Sequence, residues 1–333
     1  MFKSKKAVTA FSIFVSLIFV TFLTTWIVKS KNAETGTDLE TEPYSINVAY
    51  STDQNYVLPT LVSMTSLMEN SAKNHFCKFT VLLSNEVSEQ DKAKLKSVEE
   101  NYKNCTVNLV EMNQQFANSE FRFWSRAMYY RLNLPQILKD EQKCIYLDGD
   151  TIVRNDLKSM NEIDMTNYYI AGIRDINCYI NKESNHYKLL DIPNLDSYVC
   201  SGVLIMNLEK MRNDKLDVVL EDLIKENDIN KKFKFPDQDA LNKACYGHIL
   251  TLPFKYGALF HAGLNEPFAK SEYAQWASNK TDWEEGRKKP VVLHFTGDKP
   301  WVKIASDFHK EWWTYADKTN FKDEIHAGYN VYK

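Results

Sequence analysis

The stretch Lys143-Cys144-Ile145-Tyr146-Leu147-Asp148-Gly149-Asp150-Thr151-Ile152-Val153 decides how this chain is read. Residues 143–147 form a short apolar run with no helical spacing, which predicts a buried strand ending at two aspartates. A second apolar run, Thr151-Ile152-Val153, follows at once. A bare D-x-D is common, and its bland reading is a solvated turn after a strand. Apolar flanks on both sides argue against that turn. At positions i and i+2 of an extended chain, both carboxylates point to one side. Two carboxylates so close repel unless a cation separates them. Gly149 between them permits close approach of backbone or ligand. Carboxylate oxygens select a hard cation such as Mn²⁺ or Mg²⁺. Such a cation, bridging a diphosphate, would stabilise it as a leaving group.

Working outward, residues 45–50 (SINVAY), 78–83 (KFTVLL) and 106–112 read as strands. Between them, 58–68 has helical spacing, and 88–102 reads as an amphipathic helix opened by Ser88 with acidic residues in its first turn. This alternation argues for a parallel sheet with helices on both faces, an α/β fold. Residues 123–138 read as a helical region interrupted at Pro135. Residues 169–173 and 202–207 predict two more strands, and 208–226 and 238–246 two more helices. In an open α/β sheet, ligands bind at the carboxyl ends of strands, where Asp148 and Asp150 stand. A haloacid-dehalogenase-type phosphatase also ends a strand with D-x-D, but on the first strand of its domain. Here about a hundred residues of α/β pattern come first, which counts against it.

The chain has 333 residues, 44% apolar and 26% charged, with a formal net charge of -3. That suffices for one large domain or two small ones, and nothing calls for a nucleic-acid partner. Of its 18 Tyr and 7 Trp, many lie in the last third, which suits either an aromatic-lined carbohydrate cleft or plain core packing. No pair of the six cysteines has C-x-x-C spacing, so a zinc or redox motif is not indicated. Most read as small buried hydrophobes, with one or two disulfides open in an oxidising lumen.

Residues 7–28 (AVTAFSIFVSLIFVTFLTTWIV) carry no charge and are long enough to span a bilayer. Lysines flank them on both sides, and the free amino terminus favours a cytoplasmic N-terminus. A cleaved signal peptide fits less well, because the apolar run is too long and no small-x-small site follows. The expected organisation is therefore a tail over 1–6, a single transmembrane helix over 7–28, a polar stem over 29–43, a catalytic domain over 44–320 and a C-terminal tail over 321–333. A type II anchor puts the domain outside the cytosol. A nucleotide-sugar enzyme there needs imported donor, as a Golgi or endoplasmic reticulum lumen supplies. The sequons at Asn104 and Asn279 are compatible with that compartment.

Six runs in order resemble glycosyltransferase family 8: residues 49–56 (AYSTDQNY), 130–132 (YRL), 146–150 (YLDGD), 201–208 (SGVLIMNL), 236–242 (PDQDALN) and 294–301 (HFTGDKPW). The resemblance covers roughly 45–302. It implies a GT-A type, Rossmann-like nucleotide-sugar domain with a mixed sheet, and a retaining transferase that uses UDP-sugars with Mn²⁺ or Mg²⁺. It implies that Ser51, Thr52, Asp53 and Asn55 contact the uridine, where an ordinary Asx-type turn is the plain alternative. Arg131 falls at a position near the donor diphosphate or sugar. His294 would complete the metal shell of Asp148 and Asp150. Gly297 and Lys299 would meet the phosphates. Asp237 and Gln238 would line the donor-sugar pocket as the catalytic pair, although acidic residues also suit a helix start. Asp175 would be another sugar-binding acid. Two departures stand out: Cys200 where the family often has Asn, and one residue rather than two between Gly297 and Lys299. The implied reaction moves a hexose or pentose, such as galactose, glucose or xylose, to a glycan or glycoconjugate hydroxyl. The two departures motivate a rival, a membrane-tethered carbohydrate-binding protein with a decayed transferase site.

Overall fold

Strand β1 (Tyr44–Thr52) sends Ile46, Val48 and Tyr50 into one apolar cluster and Ala49 into another. In β4 (Lys143–Leu147), Ile145 and Leu147 join the first cluster while Cys144 and Tyr146 join the second. Apolar residues on both sides mean that both faces of the sheet are covered, which is why these strands read as near-continuous apolar runs. The computed structural model describes residues 44–112, 125–175, 185–259, 280–304 and 306–329. The chain divides into Met1–Glu42 and Pro43–Lys333, and every described residue lies in the second unit.

Seven strands form the main sheet in the order β3-β2-β1-β4-β7-β6-β8, adding β2 (His75–Leu83), β3 (Cys105–Glu111), β6 (Ile170–Arg174), β7 (Val199–Asn207) and β8 (Ile249–Thr251). The pairs β1–β2, β2–β3 and β1–β4 are parallel, as the strand–helix alternation predicts. β7 runs antiparallel to β4 and β6, so the sheet is mixed, as the resemblance implied and the alternation alone did not. A second sheet has the order β5-β10-β9, from β5 (Thr151–Val153), β9 (Ala258–Leu259) and β10 (Val292–His294).

These two exceptions to a parallel sheet position the site. Antiparallel pairing of Leu147 with Val203 brings the start of β7 beside the end of β4. Pairing of His294 with Thr151 brings the end of β10 beside Asp150. Helix α1 (Val57–Asn70) fixes β5 from the other side. Ser63 Oγ lies 2.7 Å from Thr151 Oγ1, Ser66 Oγ accepts from Val153 N at 2.9 Å, and Asn70 Nδ2 donates to Val153 O at 3.0 Å. Small polar residues at helical spacing are buried here because they satisfy the free edge of β5.

Helix α2 (Glu89–Asn101) begins as predicted, with Ser88 Oγ accepting from Asp91 N at 3.1 Å. The helical region expected over 123–138 breaks into α3 (Ala127–Tyr130), a 3₁₀ turn (Arg131–Asn133) and α4 (Leu134–Ile137). Pro135 stands in the first turn of α4, where its missing N–H costs nothing, so it opens a helix rather than interrupting one. The helix expected over 208–226 is two, α5 (Leu208–Asn213) and α6 (Leu216–Asn230), divided by Lys215 at φ 55. Helix α7 (Pro236–Ala244) starts at the proline. Beyond α8 (Asp307–Ala316), the segment expected to be a tail carries α9 (Lys322–Gly328), whose Ile325 is fully buried.

Trp283, Trp301, Trp312 and Trp313 are all buried, so core packing accounts for the described tryptophans of the last third. Cys77, Cys105, Cys144, Cys200 and Cys245 are free and buried, and Cys178 lies outside the described residues. The Asn104 amide donates to His75 O at 2.8 Å, and Asn279 lies outside the described residues. Among the described residues no helix is long and apolar enough to cross a membrane; the predicted span over 7–28 lies outside them.

Candidate active site

Asp148 and Asp150 follow the last residue of β4, and His294 is the last residue of β10. One ligand atom from each lies within 4.8 Å of the others. His294 Nε2 is 3.2 Å from Asp150 Oδ1 and 3.7 Å from Asp148 Oδ2. Apart from this pairing with His294, the buried Asp150 Oδ1 has no hydrogen-bond partner among the described residues. Two carboxylates and one imidazole converging on one point fit a divalent cation with mixed O and N ligands.

Gly202 provides the space. A Cβ there would lie 2.2 Å from His294 Cε1 and 2.4 Å from Asp148 Oδ2, so any side chain would drive the ligands apart. Gly202 also accepts from Asp148 N at 2.8 Å through its carbonyl. A glycine inside an apolar strand run is the one sequence signal that marks this close approach.

The two aspartates are held differently. Asp148 Oδ1 accepts from Arg131 Nη2 and from the Tyr146 hydroxyl, each at 2.9 Å. Asp150 is fixed by the Lys299 ammonium, which also donates to Phe295 O at 2.6 Å. Burial by itself would raise the Asp150 carboxyl, but Lys299 and His294 outweigh it and hold the group well below the usual carboxylate range. Burial would likewise lower His294, but Asp150 beside it pushes the imidazole up to about 10. The centre therefore favours positive charge, whether a proton or a cation. Lys299 reaches Asp150 despite the shortened spacing from Gly297, which itself is exposed.

Arg131 lies behind the carboxylates. It is 4% exposed, and its guanidinium donates to Met128 O, Ser201 O and Asp148 while packing 4.3 Å from the centre of the Tyr146 ring. It also faces Asp237 Oδ2 at 3.3 Å. These contacts make it a strut that ties Asp148, Asp237 and β7 together.

A second cluster adjoins the first at the start of α7. Gln238 Oε1 accepts from Ser201 N at 2.9 Å, and Gln238 Nε2 donates to Asp175 Oδ2 at 2.6 Å and to the Tyr198 hydroxyl at 3.1 Å. Ser201 Oγ donates to Asp237 Oδ2 at 3.0 Å. Burial raises the Asp237 carboxyl, against the lowering effect of Arg131. So Asp237, Gln238 and Asp175 are brought together as expected, with Ser201 and Tyr198 as partners not foreseen. Asp239 is completely buried and saturated: Oδ2 accepts from the backbone of Lys234 and Phe235, and Oδ1 meets the Tyr198 hydroxyl and His186 Nε2. It is an anchor for this cluster.

At the other end, β1 delivers Ser51 and Thr52, both buried. Asp53 Oδ1 accepts from Asn55 N at 2.9 Å and Tyr56 N at 3.1 Å, so the Asx-type capping reading describes its geometry. The Asn55 side chain is exposed. Tyr56 sets its ring edge against Trp301, with centroids 5.7 Å apart, and burial together with Asp150, Asp148 and Asp53 keeps its hydroxyl protonated. Its part in the site was not legible in the sequence. Cys200 Sγ lies 3.9 Å from His294 Nδ1, on the far side of the imidazole from the carboxylates.

Comparison with known proteins agrees with this architecture. The chain is 26% identical over 287 residues to the lipopolysaccharide 1,2-glucosyltransferase of Escherichia coli, covering 85% of this chain and 78% of that protein. Its fold is similar to that of the galactosyltransferase LgtC solved with donor and acceptor sugar analogues, with a TM-score of 0.70 at 20% identity, over 85% of this chain and 99% of that one. It is also similar to the WbbM bifunctional glycosyltransferase, with a TM-score of 0.72 at 23% identity, over 85% of this chain and 51% of that larger one. These likenesses identify an α/β, GT-A-like fold with a mixed sheet. The model of the Glycosyl transferase family 8 matches residues 47–305, most of the chain and all of the site just described, and the chain therefore belongs to glycosyltransferase family 8.

Proposed function

We propose that this glycosyltransferase moves a hexose or pentose from a UDP-sugar, with retention, to a glycan or glycoconjugate hydroxyl, and that it needs a divalent cation. The observation that carries the reading is the convergence of Asp148, Asp150 and His294 around the space that Gly202 leaves open. Asp148, Asp150 and His294 would hold the cation, Mn²⁺ or Mg²⁺. When bound there, it supplies positive charge for a departing diphosphate.

The protein's own groups do the rest. Lys299, 23% exposed at its side chain, brings a compact charge to the same edge and is the group able to turn toward a β-phosphate. Gly297, two residues before it, is exposed and leaves backbone amides accessible. The 51–56 turn, with Asp53 buried and the face of Tyr56 beside it, suits a planar base and a ribose. Asp237, Gln238 and Asp175 lie on the side where the sugar would rest. In the transfer, the bond from C1 to the phosphate oxygen breaks and its electron pair leaves with UDP. The acceptor oxygen forms the new bond to C1 on the same face, and its proton passes to the leaving phosphate oxygen. Neither described carboxylate at the start of α7 is free to act as a nucleophile: Asp237 is held by Ser201 and Arg131, and Asp239 is saturated.

The curated relatives it matches come from bacteria, where nucleotide sugars are made in the cytosol, so a Golgi or endoplasmic reticulum compartment has no support. A membrane span over 7–28 stays part of the proposal on its sequence alone. The decisive experiment incubates the protein with UDP-glucose, UDP-galactose and UDP-xylose, with and without Mn²⁺, and measures released UDP. Release from one donor, lost on chelation and in the Asp148→Asn/Asp150→Asn double variant, is the expected result. Tight UDP binding without turnover in the unaltered protein would instead favour a carbohydrate-binding protein with a decayed site.

A further inference from the structure

The segment after α8 is joined to the 51–56 turn by two independent routes. The first is aromatic. Tyr329, one residue past α9, sets its ring 6.0 Å from Trp301 and 6.3 Å from Trp312, and Trp301 in turn meets Tyr56 at 5.7 Å. The second is polar. Gln54 Nε2 donates to Asp91 Oδ2 at 2.5 Å and Gln54 Oε1 accepts from Ser88 N at 3.0 Å. Asp91 Oδ1 accepts from Lys94 Nζ at 2.8 Å, and the same ammonium pairs with Glu324 of α9. Lys94 also lies 5.9 Å from the centre of the Phe321 ring, just before α9.

Neither route is a surface accident. Lys94 is 5% exposed, so its charge is tolerated only because Asp91 and Glu324 neutralise it. Ile325 is fully buried, and His326 stacks on Trp313 with centroids 4.8 Å apart. The helix is thus seated by apolar packing and directed by charge. Tyr329 is half-buried at its end. Burial and the nearby charge of Asp53 push its hydroxyl up to about 12. It therefore stays a neutral hydrogen-bond donor at the mouth of the turn that carries Asp53 and Tyr56.

We propose that α9 and Tyr329 form the outer wall of the nucleotide end of the donor site, with Tyr329 closing on the base and ribose and the Glu324–Lys94–Asp91–Gln54 chain holding the turn in place. This rests on the nucleotide-sugar reading above. The wall recognises the nucleoside part of the donor; the diphosphate is handled at Asp148, Asp150, His294 and Lys299.

The test is calorimetric binding to the full chain, in detergent, of UDP, uridine and inorganic pyrophosphate, each with Mn²⁺ present. Tyr329→Ala should weaken UDP and uridine by about tenfold, a typical stacking loss, and leave pyrophosphate unchanged. In turnover it should raise the donor KM and spare kcat. Tyr329→Phe separates ring from hydroxyl, and Glu324→Gln should weaken UDP in the same direction by a smaller factor. Wild-type affinity for UDP in Tyr329→Ala overturns the proposal. So does an equal loss of uridine and pyrophosphate, which would mark general damage. If the unaltered chain binds no UDP, the nucleotide reading itself falls; if it binds UDP and Tyr329→Ala binds it equally, only the wall is wrong.

Discussion

At the residue scale, two positions carry more than their size suggests. Gly202 has no side chain, and its contribution is the space between Asp148 and His294. Gly202→Ala would put a methyl at 2.2 Å from His294 Cε1. In a packed site that cannot be absorbed without moving a ligand. The expected result is a loss of transfer of about 100-fold or more, equivalent to about 2.7 kcal/mol or more of transition-state stabilisation, with weakened Mn²⁺ binding and an unchanged circular dichroism spectrum. Asp239 works by being full. Replacing it with Asn puts an NH₂ group against backbone or side-chain donors at one oxygen position, leaving at least one buried donor unpaired. Asp239→Asn should cost about 1–3 kcal/mol, seen as a lower urea midpoint with an unchanged m-value.

At the scale of elements, start signals were readable and interruptions were not. Ser88 caps α2 through Asp91 N, and Ser88→Ala should cost about 1 kcal/mol, measured by denaturant unfolding. Because Ser88 Oγ also donates to Asp91 Oδ2 at 2.5 Å, and Asp91 holds Gln54 and Lys94, the same change should raise the donor KM slightly. By contrast, the division of α5 from α6 at Lys215 leaves no composition signal, since the left-handed turn is made by a lysine rather than by glycine. Strands β5, β8 and β9 have two or three residues each, too few to show a period. Ser63 and Ser66 on α1 are polar yet buried, because they serve β5, a partner that helical spacing cannot reveal.

At the scale of the whole molecule, the domain extends further toward the C-terminus than its motifs. The family match ends at 305, whereas α8 and α9 pack Trp312, Trp313 and Ile325 into the core. A chain of residues 44–333 should release UDP from its donor as the full chain does, and comparing the two in a membrane fraction tests the proposed span over 7–28. Ending that chain at 320 removes Ile325, Glu324 and Tyr329 together. It should lower the melting temperature and weaken UDP binding well beyond the point variants. Differential scanning fluorimetry with and without UDP and Mn²⁺ reads both effects.

Strand–helix alternation and six ordered runs were enough, without any coordinates, to indicate an α/β nucleotide-sugar fold and to single out Asp148, Asp150, His294, Asp237 and Gln238. The alternation and the aspartate pair are local signals, apolar periodicity and carboxylates at a strand end, whereas His294, Asp237 and Gln238 came from the family resemblance that the ordered runs carry. Tertiary structure alone decided that Arg131 braces Asp148 from behind, that Gly202 leaves the space between Asp148 and His294, and that the segment after 320 packs against Trp301. Each of these joins residues about 17 to 280 positions apart, through antiparallel β7, through β10 and through the aromatic cluster around Trp301. Spacing along a chain carries no record of which distant backbone will lie alongside it; that is settled by sheet pairing and by burial of the faces between them.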